Sequence, residues 1–262
     1  MSQGVIKIAL AMAFAALLPS CFGAQVNTAR PGGPVALAYS FPRPTPTGTP
    51  PARPSVTVGQ VAVAQGAVEV RGFHEPGDWA HRNYCGAGAT QVLLSAWMSE
   101  VPDIETVAKA SKLNPNRGEF GADATNAINQ YVNPVAVPAF GQPRYKAEHI
   151  TTLDEVKARI ARDIVDQQAI MTFGHGVPVM VQTMTKTMPG WNHWNATHMI
   201  TIFAFDFSHN DPALDTVSYA ETPSPLAGYR GPDFQTISVA ALWVAMQAYN
   251  KEFPADPMNV IS

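Results

Sequence analysis

Apolar residues recur with two different periods along the chain, and each period predicts one type of element. Intervals of three and four residues, preceded by capping residues such as Asp103 and Ser238, predict helices. Thr152 and Glu155 form the capping box of one such helix. One predicted helix begins at Cys85. Four more cover 103–110, about 124–131 (capped by Asp123), 152–165 and 239–249.

Short alternating or wholly apolar runs predict strands. Residues 198–205 are apolar on both faces, so this strand is expected to be central. A polar, aromatic loop is predicted over 175–197, where Met180, Met184 and Met188 are expected to fill gaps in the core. The other predicted strands are 56–58, 61–64 and 67–70 (the last two a hairpin through Gln65-Gly66), 145–150, 169–173 and 216–221.

Two segments are expected to precede the folded domain of residues 56–262. Residues 1–23 carry one cation and then an apolar run too short to span a membrane, which predicts a signal peptide. The sequence ending at Cys21 resembles a bacterial lipobox, and cleavage before Ala24 is the alternative. Residues 24–55 are rich in proline and predict a disordered tether. We therefore expect an exported bacterial protein, secreted or held in the envelope by a lipid on Cys21.

Charge is distributed unevenly and limits the classes of partner. No acidic residue precedes Glu69, whereas the chain from Glu69 onward carries 13 basic and 20 acidic residues, a net charge of −7. Such an acidic domain lacks the basic surface that nucleic-acid binding requires. We expect no nucleic-acid partner, no membrane contact apart from an N-terminal lipid anchor, and a monomer.

Cys85 is the main candidate for chemistry. Processing removes or lipidates Cys21, which leaves one thiol in an exported chain, an uncommon arrangement that indicates a reactive group. The first turn of a helix favours the thiolate because its N–H groups and dipole are positive. The alternatives are a buried structural cysteine and, in an unprocessed chain, a Cys21–Cys85 disulfide.

A hairpin centred at His209 and Asn210 would pair His198 with Glu221. Asp215 would then face Ala204, roughly 20 Å from His198 at about 3.3 Å per residue. Glu221 is therefore the acid predicted to orient the imidazole.

These residues carry a resemblance to a known family. Asn83-Tyr84-Cys85-Gly86, the run 166–171, His198 at the start of a strand and the strand ending at Glu221 resemble the secreted, free-standing relatives of the bacteriocin-processing peptidases. Those proteins belong to the papain-like cysteine peptidases. The resemblance implies an α+β fold, with the nucleophile on a helix N-terminus packed against an antiparallel sheet that carries the histidine and the acid.

The resemblance assigns Cys85 as nucleophile, His198 as general base and Glu221 as the acid, which is usually Asp in relatives. Two positions depart from the family pattern. Ala87 stands where proline is usual, and Trp79 replaces the glutamine that donates to the oxyanion. With a shift of one or two residues, His81 or Asn83 could supply that hydrogen bond instead.

The resulting hypothesis is a cysteine peptidase or amidase that acts on a peptide or protein, with no cofactor and no metal. A cell-wall peptide amidase is an alternative substrate class. A non-catalytic binding module on the same scaffold is the alternative function, motivated by Trp79 and Ala87. Trp191 and Trp194 are expected either to line the substrate cleft or shield the Cys85–His198 pair, or else to pack on the core. The histidines at 175, 193 and 198 lack a companion that would complete a recognised zinc spacing.

Overall fold

The computed structural model describes residues 63–262. The predicted signal peptide (1–23), the tether (24–55) and the strand at 56–58 lie outside these residues. Within the described part, no helix is long and apolar enough to cross a membrane.

Six α-helices and seven strands make up the described chain. The helices are α1 (Cys85–Leu94), α2 (Ile104–Ala110), α3 (Gly121–Phe140), α4 (Leu153–Ile164), α5 (Gln167–Phe173) and α6 (Val239–Glu252). The strands are β1 (Gln65–Ala67), β2 (Ala147–Glu148), β3 (Val179–Met184), β4 (Thr197–Asp206), β5 (Thr216–Ala220), β6 (Phe234–Ser238) and β7 (Val260–Ile261). Two 3₁₀ turns, Trp79–His81 and Thr185–Thr187, complete the regular structure.

All the strands join one antiparallel sheet in the order β2-β7-β3-β4-β5-β6, with β1 beside β4. The ten residues of β4 pair with β3 through their first half, with β5 through their second half, and with β1 at their end. Eight consecutive residues of β4 are buried. The central position predicted for this strand is confirmed.

Helices cover both faces of the sheet, because alternate residues of the central strands enter different cores. Val179 and Ile200 pack with α4 and α6 in one apolar cluster. Met180 and Met199 pack with α1, α2 and α3 in another. The structure is therefore a mixed α+β fold with an antiparallel sheet, as the sequence predicts.

Small residues allow α1 to lie directly on the sheet. Every residue of α1 after Cys85 is buried. Thr201 Oγ1 of β4 donates to Ala89 O at 2.7 Å, and a Cβ on Gly88 would lie 2.9 Å from Thr222 Cβ. A larger side chain would push the helix outward, so glycine at 88 sets the distance between Cys85 and the strands.

Three predicted elements are wrong. Residues 65 and 66 lie inside β1 instead of a turn, and Gly66 is small because Val165 and Phe205 occupy the space of a Cβ. The predicted strand 169–173 is the helix α5, started by an Asp166 side chain that accepts from Ala169 N. The predicted loop 175–197 contains β3, whose six residues are all buried.

Other elements differ in extent. Helix α3 begins after Phe120 and continues through Pro134 and Pro138, whereas the sequence predicts an end near residue 131. Of the predicted strand 145–150, only β2 forms. The capping box of α4 and the burial of Met180, Met184 and Met188 are confirmed.

Candidate active site

Cys85 is the first residue of α1 and the single cysteine of the described chain. Tyr84 precedes it as N-cap without a side-chain capping bond. The thiol is partly accessible, unlike the fully buried residues that follow it. Cys85 therefore lies where backbone N–H groups without helical acceptors concentrate positive charge.

His198 lies between Cys85 and Glu221 and is only 3% exposed. Its Nε2 is 2.7 Å from Glu221 Oε2, and its ring also hydrogen bonds with the Cys85 thiol. Because Glu221 occupies Nε2, Nδ1 is the ring nitrogen left for sulfur. Burial opposes the charged ring, but Glu221 and Cys85 outweigh it and raise the pKa of His198 to about 10.

Glu221 is fully buried and follows the last residue of β5. Its Oε2 faces His198, and its Oε1 accepts a hydrogen bond from Trp191 Nε1 at 2.9 Å. The Trp191 ring also packs edge-on against the His198 ring, with 5.0 Å between their centroids. Each carboxylate oxygen is thus held by a ring, which fixes the orientation of the imidazole.

Glu221 reaches His198 through a different strand register from the one predicted. Thr201 pairs with Ala220, and the register shifts again between Ile202 and Ala204. If this pairing continued back to His198, residue 223 would lie opposite His198 instead of residue 221. The predicted register is therefore wrong by at least two residues, because the turn is centred later in the chain and the strands contain an irregularity.

Asp215 lies at the other end of the strand pair, as expected, although its predicted partner Ala204 pairs with Ser218. The Asp215 carboxylate contacts Lys157 Nζ at 2.6 Å. It takes no part in the group around His198.

A cleft opens beside Cys85 and His198. The residues that line it are Glu75, Arg82, Asn83, Cys85, Arg117, Gly118, Trp191, Thr197, His198, Ser224 and Ala227. Trp191 is thus in the cleft wall, as one of its two predicted roles requires. Trp194 does not line the cleft and packs against the core of the α4 and α6 face.

The three residues expected to donate to an oxyanion lie in different environments. Trp79 is 51% exposed and stacks under the Arg82 guanidinium at 4.4 Å, outside the cleft wall. The His81 ring is held by Asp78 at 2.6 Å and by Glu105 on its other nitrogen. Asn83 alone lines the cleft, and its Nδ2 donates to Pro115 O at 2.7 Å.

Glu75 is a cleft residue that the sequence does not reveal. It is 5% exposed, and its Oε2 accepts from Tyr84 N at 3.2 Å. Burial is the largest influence and raises the pKa of Glu75 well above its usual value, whereas the Tyr84 and Ser224 backbone contacts oppose this rise. In the sequence, Glu75 stands ten residues before Cys85 in a polar stretch, where a surface carboxylate is the ordinary expectation.

The arrangement suits nucleophilic chemistry. A thiol at a helix N-terminus, a histidine beside it and an acid that orients the histidine are the elements of acyl transfer. Among residues 63–262, no three His, Cys, Asp or Glu side chains are grouped so as to hold a metal ion.

Comparison with known proteins adds little to this geometry. No family model matches the chain, and no curated protein matches it. Among solved structures, the chain is similar to a digestive procathepsin L 3 from the larval midgut of Tenebrio molitor. The two share 11% identity at a TM-score of 0.38, over 80% of this chain and 72% of the other.

Proposed function

We propose that the protein is an exported cysteine peptidase or amidase that hydrolyses peptide or amide bonds through Cys85, His198 and Glu221. One observation carries the proposal: a buried His198 contacts the Cys85 thiol on one side and the Glu221 carboxylate on the other. A structural ion pair needs no thiol at its edge and no open cleft. The family we propose is the papain-like cysteine peptidases, and its bacteriocin-processing branch rests on the sequence motifs alone.

The reaction begins with transfer of the Cys85 proton to His198. The thiolate sulfur then attacks the carbonyl carbon of the substrate, and the carbonyl π electrons move to oxygen. When the C–N bond breaks, His198 returns its proton to the leaving amine and a thioester on Cys85 remains. Water, deprotonated by His198, hydrolyses the thioester and releases the acid and the thiol.

Glu221 and Trp191 serve this cycle indirectly. Glu221 stabilises the imidazolium and holds the ring nitrogen that faces sulfur. Trp191 restrains Glu221 by donating to its second oxygen, and its ring packs against the His198 ring. Neither side chain has to touch the substrate for these effects.

The substrate class is a peptide or protein, and the enzyme works outside the cytoplasm after export. A lipid on Cys21 would tether it to the envelope through residues 24–55, whereas cleavage before Ala24 would release it as a monomer. No nucleic acid, metal or cofactor enters the mechanism.

Incubation of the purified protein with a proteome-derived peptide library, followed by mass spectrometry, tests the proposal. We expect new peptide termini with the wild type and none with Cys85→Ala. Acid quenching should trap a thioester whose mass increase lies on the Cys85 peptide. Binding of peptides without any cleavage or acyl-enzyme would contradict the proposal and support the binding module instead.

A further inference from the structure

Glu75 is a buried acid that the proposed cycle does not use. Its side chain lines the same cleft as Cys85 and His198. Among the described residues no cation forms a salt bridge with it, and the charged group that acts on it is another acid, Glu221. Burying a carboxylate without a cation is costly, so this position requires a physical explanation.

A neutral carboxyl would avoid this cost. Burial raises its pKa most strongly, and the Glu221 charge adds to the rise, while the two backbone contacts only partly offset them. In both contacts, to Tyr84 N–H and to Ser224 N–H, the carboxyl is the acceptor. Neither contact would use the proton of a neutral Glu75, so that proton could be donated to a group in the cleft.

The position of Glu75 suggests which group in the cleft could accept that proton. Its Oε2 lies 3.2 Å from Tyr84 N, so the carboxyl is fixed beside the residue that precedes the nucleophile. The Cys85 N–H belongs to the first helical turn, which supplies no acceptor within the helix. Glu75 and Cys85 line the same cleft, so a carbonyl bound there for attack by the Cys85 sulfur can direct its oxygen toward the Cys85 N–H and the Glu75 carboxyl.

We infer that Glu75 is a catalytic residue that donates its carboxylic proton, as a hydrogen bond, to the oxyanion formed during attack by Cys85. The inference rests on the proposed function and places the oxyanion donor at Glu75 instead of at Trp79, His81 or Asn83, the candidates suggested by the sequence. A carboxylic acid kept neutral in an apolar site is an established kind of donor to developing negative charge.

Several other charged groups lie near Glu75, and their positions are compatible with a role of Glu75 as a donor to the oxyanion. His198 and Cys85 face Glu75 from β4 and α1, and Glu221 faces it from the end of β5. Arg82 and Arg117 lie in the wall, with Arg82 already donating to Trp79 O and Asn116 Oδ1. Ionised Glu75 would repel the oxyanion, so acyl transfer should decline as the pH rises and Glu75 loses its proton.

Two reagents separate oxyanion stabilisation from nucleophile formation. 4-Nitrophenyl acetate acylates Cys85: a C–S bond forms, 4-nitrophenolate leaves, and the carbonyl oxygen gains charge on the way. Iodoacetamide alkylates the same sulfur by displacement of iodide, and no oxyanion forms. The ratio of the two rate constants therefore measures the oxyanion donor alone.

We expect Glu75→Ala to lower the acylation rate by about 10²-fold. Its alkylation rate at pH 6 should stay within about twofold of wild type. Glu75→Gln, which supplies an amide donor, should recover most of the lost acylation. Equal losses in both reactions would show that Glu75 only supports the position of Cys85 and would overturn the inference. Unchanged acylation in Glu75→Ala would overturn it as well.

The pH profile provides a second readout that does not depend on the alanine variant folding. The wild-type acylation rate, divided by the alkylation rate at each pH, should fall as the pH rises, and Glu75→Gln should lack this fall. Glu119→Gln is the matched control, because burial also raises the pKa of Glu119, to about 8, and its side chain packs on Gly86. If Glu119→Gln removes the fall and Glu75→Gln keeps it, the inference is wrong.

Failure of the proposed function has a different signature. If Cys85 shows no elevated alkylation at pH 6 in the wild type, the nucleophile does not exist and the peptidase proposal fails first. If alkylation is elevated but the ratio of the acylation and alkylation rate constants is unchanged in Glu75→Ala, only the assignment of Glu75 as donor fails. In that case Asn83→Ala, measured in the same way, tests the remaining cleft candidate.

Discussion

The strand pair β4 and β5 carries a buried acid with a basic partner at each end. At one end Glu221 contacts His198 at 2.7 Å, and at the other Asp215 contacts Lys157 at 2.6 Å. Both carboxylates are fully buried. The two pairs differ in what surrounds them, and this difference separates a candidate active site from a structural ion pair.

At the Asp215 end, the partners satisfy the hydrogen-bonding capacity of the carboxylate, and this end contributes none of the described residues that line the cleft. Burial alone would raise the pKa of Asp215, but Lys157 and the backbone N–H of His209 outweigh it and lower that pKa. At the Glu221 end, His198 has a second contact, the Cys85 thiol, and borders a cleft. A buried charge pair thus becomes a candidate site only when a nucleophile and space for a substrate adjoin it.

The largest expected difference between the two ends is in acyl transfer. Glu221→Gln should lower the acylation rate with 4-nitrophenyl acetate by roughly 10²- to 10⁴-fold, because the amide no longer stabilises the imidazolium. Asp215→Asn, an equally small change of a buried acid, should leave this rate within about threefold. Burst kinetics on the two purified variants measure the contrast.

Asp215→Asn should instead change the stability of the fold. Asp215→Asn should lower the free energy of unfolding by about 2 kcal/mol, since Lys157 loses a charged partner. Comparable losses of acylation in both variants would show that the strand pair acts as one structural unit. The distinction between its two ends would then fail.

The pH dependence of stability sharpens the comparison for His198. A histidine whose folded pKa is raised stabilises the fold fully below its unfolded pKa of about 6.5. This stabilisation is lost as the pH rises toward the folded value of about 10. In Cys85→Ala, where Glu221 still favours the charged ring, the free energy of unfolding should therefore decline by up to about 1.4 kcal/mol per pH unit between pH 7 and 8.5.

The wild type should show a smaller decline in this range. Its folded state keeps one proton on His198, but that proton comes from Cys85, which is protonated in the unfolded chain below about pH 8.5. The number of bound protons then scarcely changes on unfolding. Urea unfolding of both chains across this range gives the difference, and equal slopes would show that the Cys85 proton does not move to His198.

The smallest predicted effect concerns the two tryptophans. Trp191→Phe removes the donor to Glu221 Oε1 and should slow acylation by about tenfold, since a buried carboxylate oxygen is left without a partner. Trp194→Phe is the control, because its indole N–H has no partner among the described residues and the residue lies outside the cleft wall. A similar loss in both variants would assign the effect to packing.

Local signals predicted where four of the helices begin. The caps at Asp103, Thr152 and Ser238 give the starts of α2, α4 and α6. Cys85 begins α1 as expected, because small residues followed by an apolar run suit a helix buried against a sheet. The apolar run of β4 likewise identifies a central strand.

Other features depend on contacts distant in sequence. Residues 169–173 look like a strand, yet the Asp166 cap makes them a short helix in which only Ala169 is buried. The identity of the acid follows from the end of β5, although the predicted register is offset. Glu75 could not be found from its neighbours, because its burial depends on the distant residues Thr222 and Ser224.

Alkylation with iodoacetamide from pH 5 to 9 tests whether Cys85 and His198 form a thiolate–imidazolium pair. Mass spectrometry of the Cys85 peptide measures the rate without any substrate. We expect a rate that stays high at pH 6, where an ordinary thiol with a pKa of about 8.5 is almost wholly protonated. His198→Ala should abolish this low-pH reactivity without unfolding the domain. A rate that rises with an apparent pKa above about 8 and does not respond to His198→Ala would show that the pair does not form.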